Sequence, residues 1–197
     1  MTGLAADALD LSGRWALRLD AEDRGVAESW FAAPLDTRDQ IALPGTTDRA
    51  GFGEPAADLN PGHLTRPHRF VGPAWYERTI EIPKDWVGQQ VDLFLERVLW
   101  ESRVWIDGRP VPGAQDSLGT PHVHELGMVD GAGATSPRAD GLGSGRLQVR
   151  EDGDGVSSSR ADGLGSGRLQ VGKHRLTIRV DNRMIHPIGD RGHCYTE

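Results

Sequence analysis

The chain has few of the features that define several large protein classes. Its 197 residues include a single cysteine, Cys194, which excludes a framework of intrachain disulfide bonds. No apolar run approaches the roughly 20 residues that cross a bilayer, and the start of the chain lacks the basic and apolar parts of a signal peptide. With 22 Lys and Arg against 29 Asp and Glu, the net charge of −7 offers nucleic acid no basic surface. These absences predict a soluble, cytoplasmic protein that binds neither membranes nor nucleic acid.

Sequence motifs for several kinds of catalysis are missing as well. The chain has no Gly-x-Ser-x-Gly elbow for a nucleophilic serine, and no glycine-rich fingerprint for phosphate. It shows no alternation of strands and helices, and it is shorter than the ~250 residues of a catalytic barrel. We therefore assign no catalytic residue and expect no cofactor.

Residues 70–108 carry the strongest structural signal and predict three consecutive β-strands that include the core hairpin. Apolar side chains alternate with polar ones, which places them on one face of each strand. The residues predicted to lie inside are Tyr76, Ile80, Ile82, Val91, Leu93, Leu95, Val104 and Ile106. The residues predicted to lie outside are Glu77, Glu81 and Asp92. Asp107-Gly108 predicts a tight hairpin turn, and four of the six tryptophans, Trp75, Trp86, Trp100 and Trp105, mark this stretch as a packed centre.

Flanking segments predict further strands and loops. Trp15, Leu17 and Leu19 alternate with polar or small residues, as do Leu176, Ile178 and Val180, so each set predicts a strand. In the polar segment 21–33, Trp30 and Phe31 are expected to anchor the chain to the sheet. Residues 46–69 are polar, contain several Gly and Pro, and predict a long loop without strands.

Residues 129–171 differ from the rest in being rich in Gly, Ser and Asp. The sequence RADGLGSGRLQV occurs at 138–149 and again, unchanged, at 160–171. Two copies are too few for a solenoid, and this composition buries too little apolar area to offset the entropy of ordering. We interpret the segment as a flexible insertion between two strands, with residues 168–171 rejoining the sheet.

Several segments together resemble the N-terminal sugar-binding domain of glycoside hydrolase family 2, the family of β-galactosidases, β-glucuronidases and β-mannosidases. They are GPAWYERTIEIPKDW, the pair LERV and VWIDG, HRLTIRVDN, Leu-x-Gly-x-Trp at 11–15 and Leu-Pro-Gly at 43–45. The resemblance covers residues 11–128 and the chain from 172 onward. It implies an all-β fold, a jelly-roll-like β-sandwich similar to galactose-binding domains, over residues 11–197 with the insertion at 129–171. It also implies carbohydrate as ligand and the family's catalytic barrel as partner, in cis or as a split subunit.

The resemblance does not bring catalytic residues with it. A retaining glycosidase needs two carboxylates about 5–5.5 Å apart, and in family 2 both are glutamates of the barrel. It does point to the terminal loop as a sugar-binding region, because loops of this domain close one side of the active site in some members. The candidate residues are Asp181, Asn182, Asp190, Arg191 and His193. Alternatively, Asp181 and Asn182 simply end a strand and cap a turn.

A metal site is the weaker interpretation of His122 and His124. On a strand they would share a face, but a metal needs a third and a fourth ligand. His63 and His68 are available in principle, although nothing in the sequence brings them together. We expect surface or hydrogen-bonded histidines and no metal.

Three functions remain open at this stage. The chain is the sugar-binding portion of a family 2 hydrolase, a freestanding carbohydrate-binding module, or a decayed gene fragment. Reading the coding sequence beyond Glu197 would discriminate among them, because the first predicts an immunoglobulin-like domain and a barrel downstream.

Overall fold

The computed structural model describes residues 8–57, 66–131 and 168–183, and within them nearly all regular structure is β. Two short 3₁₀ turns lie at Trp30–Ala32 and Lys84–Trp86. The strands are β1 (Gly13–Leu19), β2 (Gln40–Leu43), β3 (Glu54–Pro55), β4 (His68–Arg69), β5 (Pro73–Ile82), β6 (Gln90–Leu95), β7 (Glu101–Ile106), β8 (Arg109–Pro110), β9 (His122–Asp130), β10 (Arg168–Gln170) and β11 (Gly172–Asp181).

Two of the sheets pack face to face as a sandwich. One has six strands in the order β2-β1-β5-β11-β7-β8, and the other has three in the order β10-β9-β6. Among the described strands every pairing is antiparallel except that of β10 with β9, which is parallel, so the three-stranded sheet is mixed. The all-β sandwich predicted from the sequence is confirmed.

The three central strands do not lie side by side, which corrects the prediction of a core hairpin in this stretch. Strands β5 and β7 belong to the six-stranded sheet, whereas β6 belongs to the opposite one. Strand β5 ends at Ile82, immediately before Pro83, and the chain then crosses to the other layer. In the six-stranded sheet β11 lies between β5 and β7.

The core lies between these two sheets and contains the apolar faces that the alternation predicted. Ile80, Ile82, Val91, Leu93 and Val104 are buried there. Tyr76, Leu95 and Ile106 are only partly buried and pack against its edge. On the other faces Glu81 and Asp92 are exposed, as predicted. The four central tryptophans are all buried, which confirms the packed centre.

A second, smaller cluster covers the outer face of the six-stranded sheet. Residues 20–37, which we name the strap, cross this face and bury Leu35 against Trp75 and Trp105. Phe31 stacks on Trp105 with ring centroids 5.1 Å apart, and Trp30 lies 5.9 Å from Trp75. The expected anchoring role of Trp30 and Phe31 is therefore confirmed.

The prediction that Glu77 lies outside is wrong, because the strap covers its side chain. Its side chain points away from the core but is only 12% exposed. Its carboxylate accepts hydrogen bonds from the backbone of Leu35 (3.2 Å) and the hydroxyl of Thr177 (3.2 Å). The alternation gave the right face, but that face is covered by another part of the chain.

The turn after β7 has the geometry that its sequence requires. Asp107 and Gly108 have φ values of +50° and +80°, as a type I′ turn demands of both central residues. Ile106 then pairs with Arg109 to start β8, so this predicted hairpin is confirmed. A Cβ on Gly108 would lie 3.1 Å from the carbonyl oxygen of Phe31, so the strap also passes close to this turn.

Two loop predictions need correction at their ends. Val129 and Asp130 belong to β9, and residues 168–170 form β10 with Leu169 buried, so these positions are strand rather than loop. The expected return of residues 168–171 to the sheet is confirmed in β10, whereas 132–167 lie outside the described residues. In the predicted loop 46–69, β3 pairs with β4, because the two ends of this polar stretch meet as a short hairpin-like pair.

Candidate functional site

The predicted sugar-binding residue Asp181 lies at the last position of β11 and is buried. Arg179 donates to its carboxylate at 2.9 Å, and Arg183 donates at 2.6 Å. Asp23 of the strap accepts from the same two arginines, at 2.9 and 2.6 Å. Glu101, which pairs with Asp181 in register, accepts from Arg179 at 3.1 Å. Asp181 is therefore part of an ion-pair network that fastens the strap to the sheet.

The electrostatics of this network favour ionised carboxylates. Burial alone would raise the pKa of Asp181, but hydrogen bonds from Arg183 and the charge of Arg179 outweigh it and leave that pKa below its ordinary value. The pKa of Asp23 is lowered in the same way, with burial opposed by Arg183 and Arg179. Asp181 and Asp23 each face arginines, which favour the ionised carboxylates, so neither group is suited to act as a general acid.

Asn182 immediately follows β11, and both the oxygen and the nitrogen of its side-chain amide make hydrogen bonds. The amide oxygen accepts from the backbone of Gly72 at 2.7 Å, and the amide nitrogen donates to the carbonyl of Phe70 at 2.7 Å. These bonds hold the segment before β5 against the end of β11. These bonds fit the alternative interpretation, in which Asn182 ends a strand and fixes a turn, whereas Asp181 is bound by the arginines of the network. Sugar binding by Asp181 and Asn182 stays a prediction.

The other three candidates, Asp190, Arg191 and His193, lie outside the described residues. A sugar-binding role for the terminal loop stays a prediction. Within the described part, the half-exposed pair of Arg183 and Asp23 forms the solvent-facing edge of the network.

Sequence reasoning missed Arg179, Asp23 and Glu101, because they meet only through the strand pairing and the strap. Arg179 lies on the same face of the six-stranded sheet as Trp75, its register partner in β5. An arginine placed beside a large aromatic residue on an outward face indicates that another segment covers that face. Asp23 adopts a φ of +53°, and both its carboxylate oxygens meet arginines.

His122 and His124 share a face of β9, as predicted, and that face points into the core. Their rings contact the Ser102 hydroxyl at 2.7 and 2.8 Å. Within residues 8–57, 66–131 and 168–183, no group of three or more His, Cys, Asp or Glu side chains is arranged to hold a metal ion. The same ranges contain no helix long and apolar enough to cross a membrane.

Comparison with known proteins first defines a class. Among solved structures, a β-glucuronidase from an uncultured Clostridium species has 18% identity and a TM-score of 0.53 over 88% of this chain. The Ruminococcus gnavus β-glucuronidase in complex with D-glucaro 1,5-lactone has 13% identity and a TM-score of 0.55 over 91%. The chain spans 22% of the length of each. At this identity the likeness supports the all-β sandwich fold.

The sequence then places the chain in its family. Residues 9–127 match the sugar-binding domain of glycosyl hydrolases family 2, so the chain belongs to this family, as the resemblance indicated. A β-glucuronidase of Paenibacillus borealis is 30% identical over 105 residues, which are 53% of this chain and 16% of that protein. A β-glucuronidase of Canis lupus familiaris is 28% identical over 106 residues, or 50% of this chain and 15% of that protein. The chain thus matches about a sixth of the length of these relatives.

Proposed function

We propose that the chain supplies the non-catalytic, carbohydrate-binding portion of a family 2 glycoside hydrolase of the β-glucuronidase type. The observation that carries this proposal is the match of the family's sugar-binding domain to residues 9–127. The relatives named β-glucuronidase support the substrate class, a β-linked glucuronide, for the complete enzyme. The complete enzyme would hydrolyse the O-glycosyl bond.

The charges of the described residues support a non-catalytic role. A glycosidase general acid needs a carboxyl group whose pKa is raised, so that it holds a proton near neutral pH. The network carboxylates show the opposite shift, because their arginine partners lower the pKa of both Asp23 and Asp181. These groups stabilise the fold, and the reacting carboxylates would come from the family's barrel.

The proposed partner is therefore a catalytic barrel of the same family, either in the same polypeptide or as a separate subunit. The sandwich would position one wall of the sugar pocket, with the terminal loop that carries Asp190, Arg191 and His193 as its candidate contact. This role needs a rigid base for that loop. The ion pairs of Asp181 and the two hydrogen bonds of the Asn182 side-chain amide supply such a base.

A chimera tests the accessory role directly. The segment of the Paenibacillus borealis β-glucuronidase that matches this chain is replaced by the whole chain, and hydrolysis of 4-nitrophenyl β-D-glucuronide is measured. We expect the chimera to hydrolyse the substrate, and the same enzyme lacking the segment to be inactive. A soluble, folded chimera without activity would contradict the proposal.

Two variants sharpen the result. Arg191→Ala in the chimera should raise KM more than it lowers kcat if the terminal loop binds sugar, because uniform binding energy affects KM. Phe94→Ala, on an exposed surface remote in sequence from that loop, serves as the matched control and should leave both parameters unchanged. Equal kinetics for the two variants would remove the terminal loop from the proposed site.

A further inference from the structure

Ser102, His122 and His124 form a fully enclosed polar cluster inside the sandwich. Ser102 lies on β7, the histidines lie on β9, and each of the three residues is at most 1% exposed. The Ser102 hydroxyl is 2.7 Å from Nδ1 of His122 and 2.8 Å from Nε2 of His124. Nε2 of His122 is 2.8 Å from the carbonyl oxygen of Ser117. Nothing in the proposed function uses this cluster.

The cluster also fixes the segment between β8 and β9, residues 111–121, which we name the 111–121 loop. His122 holds the loop through Ser117, and Ser102 holds it through two backbone hydrogen bonds with Gln115, of 2.8 and 3.1 Å. Most other residues of the loop are exposed. Ser102 and His122 therefore join the loop to the sheets, together with the backbone N–H of Val111, which donates to the carbonyl of Val104 at 2.8 Å.

Counting protons assigns a tautomer to each ring. A carbonyl oxygen only accepts, so Nε2 of His122 carries a proton and donates it to Ser117. Nδ1 of a neutral His122 is then an acceptor, and the Ser102 hydroxyl must donate to it. That hydroxyl has a single proton, so Nε2 of His124 must donate to the Ser102 oxygen. In this arrangement Nδ1 of His124 bears a lone pair, and it is buried without a hydrogen-bond partner.

The surroundings of His124 oppose a second proton on its ring. Burial lowers the pKa of His124, the neighbouring His122 lowers it further, and the carbonyl of Gly113 acts in the opposite direction without compensating. On β6 the residue paired with His124 is Leu93, and Asp92 beside it points outward and is exposed. On β7 the facing group is the neutral Ser102, and Asp116, the acid of the 111–121 loop, is exposed.

We propose that Ser102, His122 and His124 form a proton-sensitive clasp that holds the 111–121 loop closed while His124 is neutral and releases it when His124 is protonated. A second proton gives His124 a charge in a buried site, where Nδ1 has no hydrogen-bond partner and the carbonyl of Gly113 compensates only in part. The ring then leaves Ser102, and the serine and His122 lose the arrangement that holds Ser117 and Gln115. The remaining pairing of β9 with β6 does not involve the loop, so the opening is local.

The direction of the pH dependence follows from linkage. The pKa of His124 is lowered in the closed state and returns to about 6.5 once the ring is in water. The open state therefore binds more protons below about pH 6.5, and closure weakens as the pH falls through that value. It stops weakening below the lowered pKa of the closed state. One proton is exchanged, so the closing equilibrium changes by at most about tenfold per pH unit.

Hydrogen exchange of the whole chain tests the clasp. The amides of Gln115 and Ser102 are compared at pH 7.5 and 5.0, after correction for intrinsic exchange rates, with the amide of Thr177 in the central sheet as internal reference. We expect the protection of Gln115 to fall relative to Thr177, with an upper limit of about thirtyfold that one proton sets between pH 6.5 and pH 5.0. Unchanged or increased protection at pH 5.0 would overturn the proposal, since a proton shared with Gly113 would tighten the loop.

His124→Gln separates the clasp from general acid sensitivity. The glutamine amide can still donate to Ser102 but cannot titrate, so the pH dependence at Gln115 should disappear. His68→Gln is the matched control, since His68 lies in another part of the fold, where its ring contacts the carbonyl of Asp48, and this variant should keep the wild-type profile. Equal pH dependence in both variants would refute the clasp.

If His124→Gln fails to fold, the ring ¹⁵N shifts of the wild-type protein decide the matter. We expect the neutral Nε2–H tautomer of His124 at pH 7.5. A Nδ1–H tautomer or a charged ring at that pH would contradict the proton count.

Discussion

Leu93 and Phe94 are adjacent in sequence and have opposite environments. Leu93 is 4% exposed in the core, whereas Phe94 is 61% exposed on the outer face of the three-stranded sheet. Leu93→Ala should lower the free energy of unfolding by about 2–5 kcal/mol, because a buried leucine leaves a cavity. Phe94→Ala should change it by less than about 0.5 kcal/mol. Urea unfolding of the two variants measures both, and the reverse order would invalidate the assignment of strand faces.

Asp181 offers a second test at the residue scale. Asp181→Asn removes one of the three carboxylates that pair with Arg179, while Asp23 and Glu101 remain, so we expect a loss of about 1.5–3 kcal/mol at pH 7. Glu22→Gln removes an ion pair between exposed side chains and should cost less than about 1 kcal/mol.

The effect of Asp181→Asn should depend on pH. Because the pKa of Asp181 is lowered by folding, its ionised form stabilises the protein above about pH 3.9, and this contribution is lost as the pH falls through the lowered value. The difference between wild type and variant, measured by urea unfolding from pH 6 to pH 2.5, should therefore shrink at acid pH. A constant difference would show that the network acts through packing rather than charge.

The sequence predicted individual residues best where their neighbours in sequence decide the outcome. Alternation placed Ile80 and Glu81 on the right faces, and Asp107-Gly108 formed the expected turn. For Glu77 it gave the right face but the wrong exposure, because the strap that covers this side chain comes from a distant part of the chain. The carboxylate of Asp20, for example, accepts from the indole of Trp75, 55 positions away. Periodicity carries no information about such contacts.

At the scale of elements, the existence of strands was predictable and their partners were not. A strand with one apolar face can bury that face in either sheet of a sandwich. The pattern in β6 therefore does not predict that it pairs with β9 rather than with β5. For the same reason the network around Asp181 was not foreseen, since it needs β7, β11 and the strap in one place.

Strand β10 gives a prediction at this scale, because its sequence is duplicated. Deleting residues 150–171 removes β10 but joins Val149 to Gly172, so the same RLQV sequence again precedes β11. We expect the melting temperature to stay nearly unchanged, since the remaining copy can supply the strand.

Deleting residues 146–171 is the control, because it removes both copies and leaves the site of Leu169 empty. Loss of a buried leucine costs at least about 2 kcal/mol, and each kcal/mol lowers the melting temperature by about 2–4 °C in a domain of this size. The control should therefore melt at least about 4 °C lower than the shorter deletion. Equal melting temperatures for the two deletions would show that β10 contributes nothing to stability.

At the scale of the molecule, the proposed division of labour predicts that the isolated chain is inactive. Purified chain should release no nitrophenol from 4-nitrophenyl β-D-glucuronide or the matching β-galactoside, because the proposal assigns the two carboxylates of the reaction to the barrel. Turnover that disappeared on mutation of an acidic residue of this chain would contradict the proposal, whereas turnover unaffected by such mutations would indicate a contaminating enzyme.

The fold class and the family were both accessible from the sequence, because they rest on strand patterns and motifs spread over residues 9–127. The candidate site was less accessible. Asp181 and Asn182 were chosen for their chemistry, and that chemistry serves the junction of β11 with the strap and with residues 70–72. A polar residue at the end of a strand suits a ligand and a turn equally well, and the sequence does not separate the two.

The aromatic cluster under the strap gives the protein an intrinsic spectroscopic signal. Trp75 and Trp105 lie with ring centroids 5.1 Å apart at 30°, close enough for their electronic transitions to couple. Such a pair gives a near-ultraviolet circular dichroism signal that depends on the angle between the rings. Trp30 and Phe31 hold that angle from the strap side. Detachment of the strap can therefore be followed in unlabelled protein, separately from the loss of β-structure.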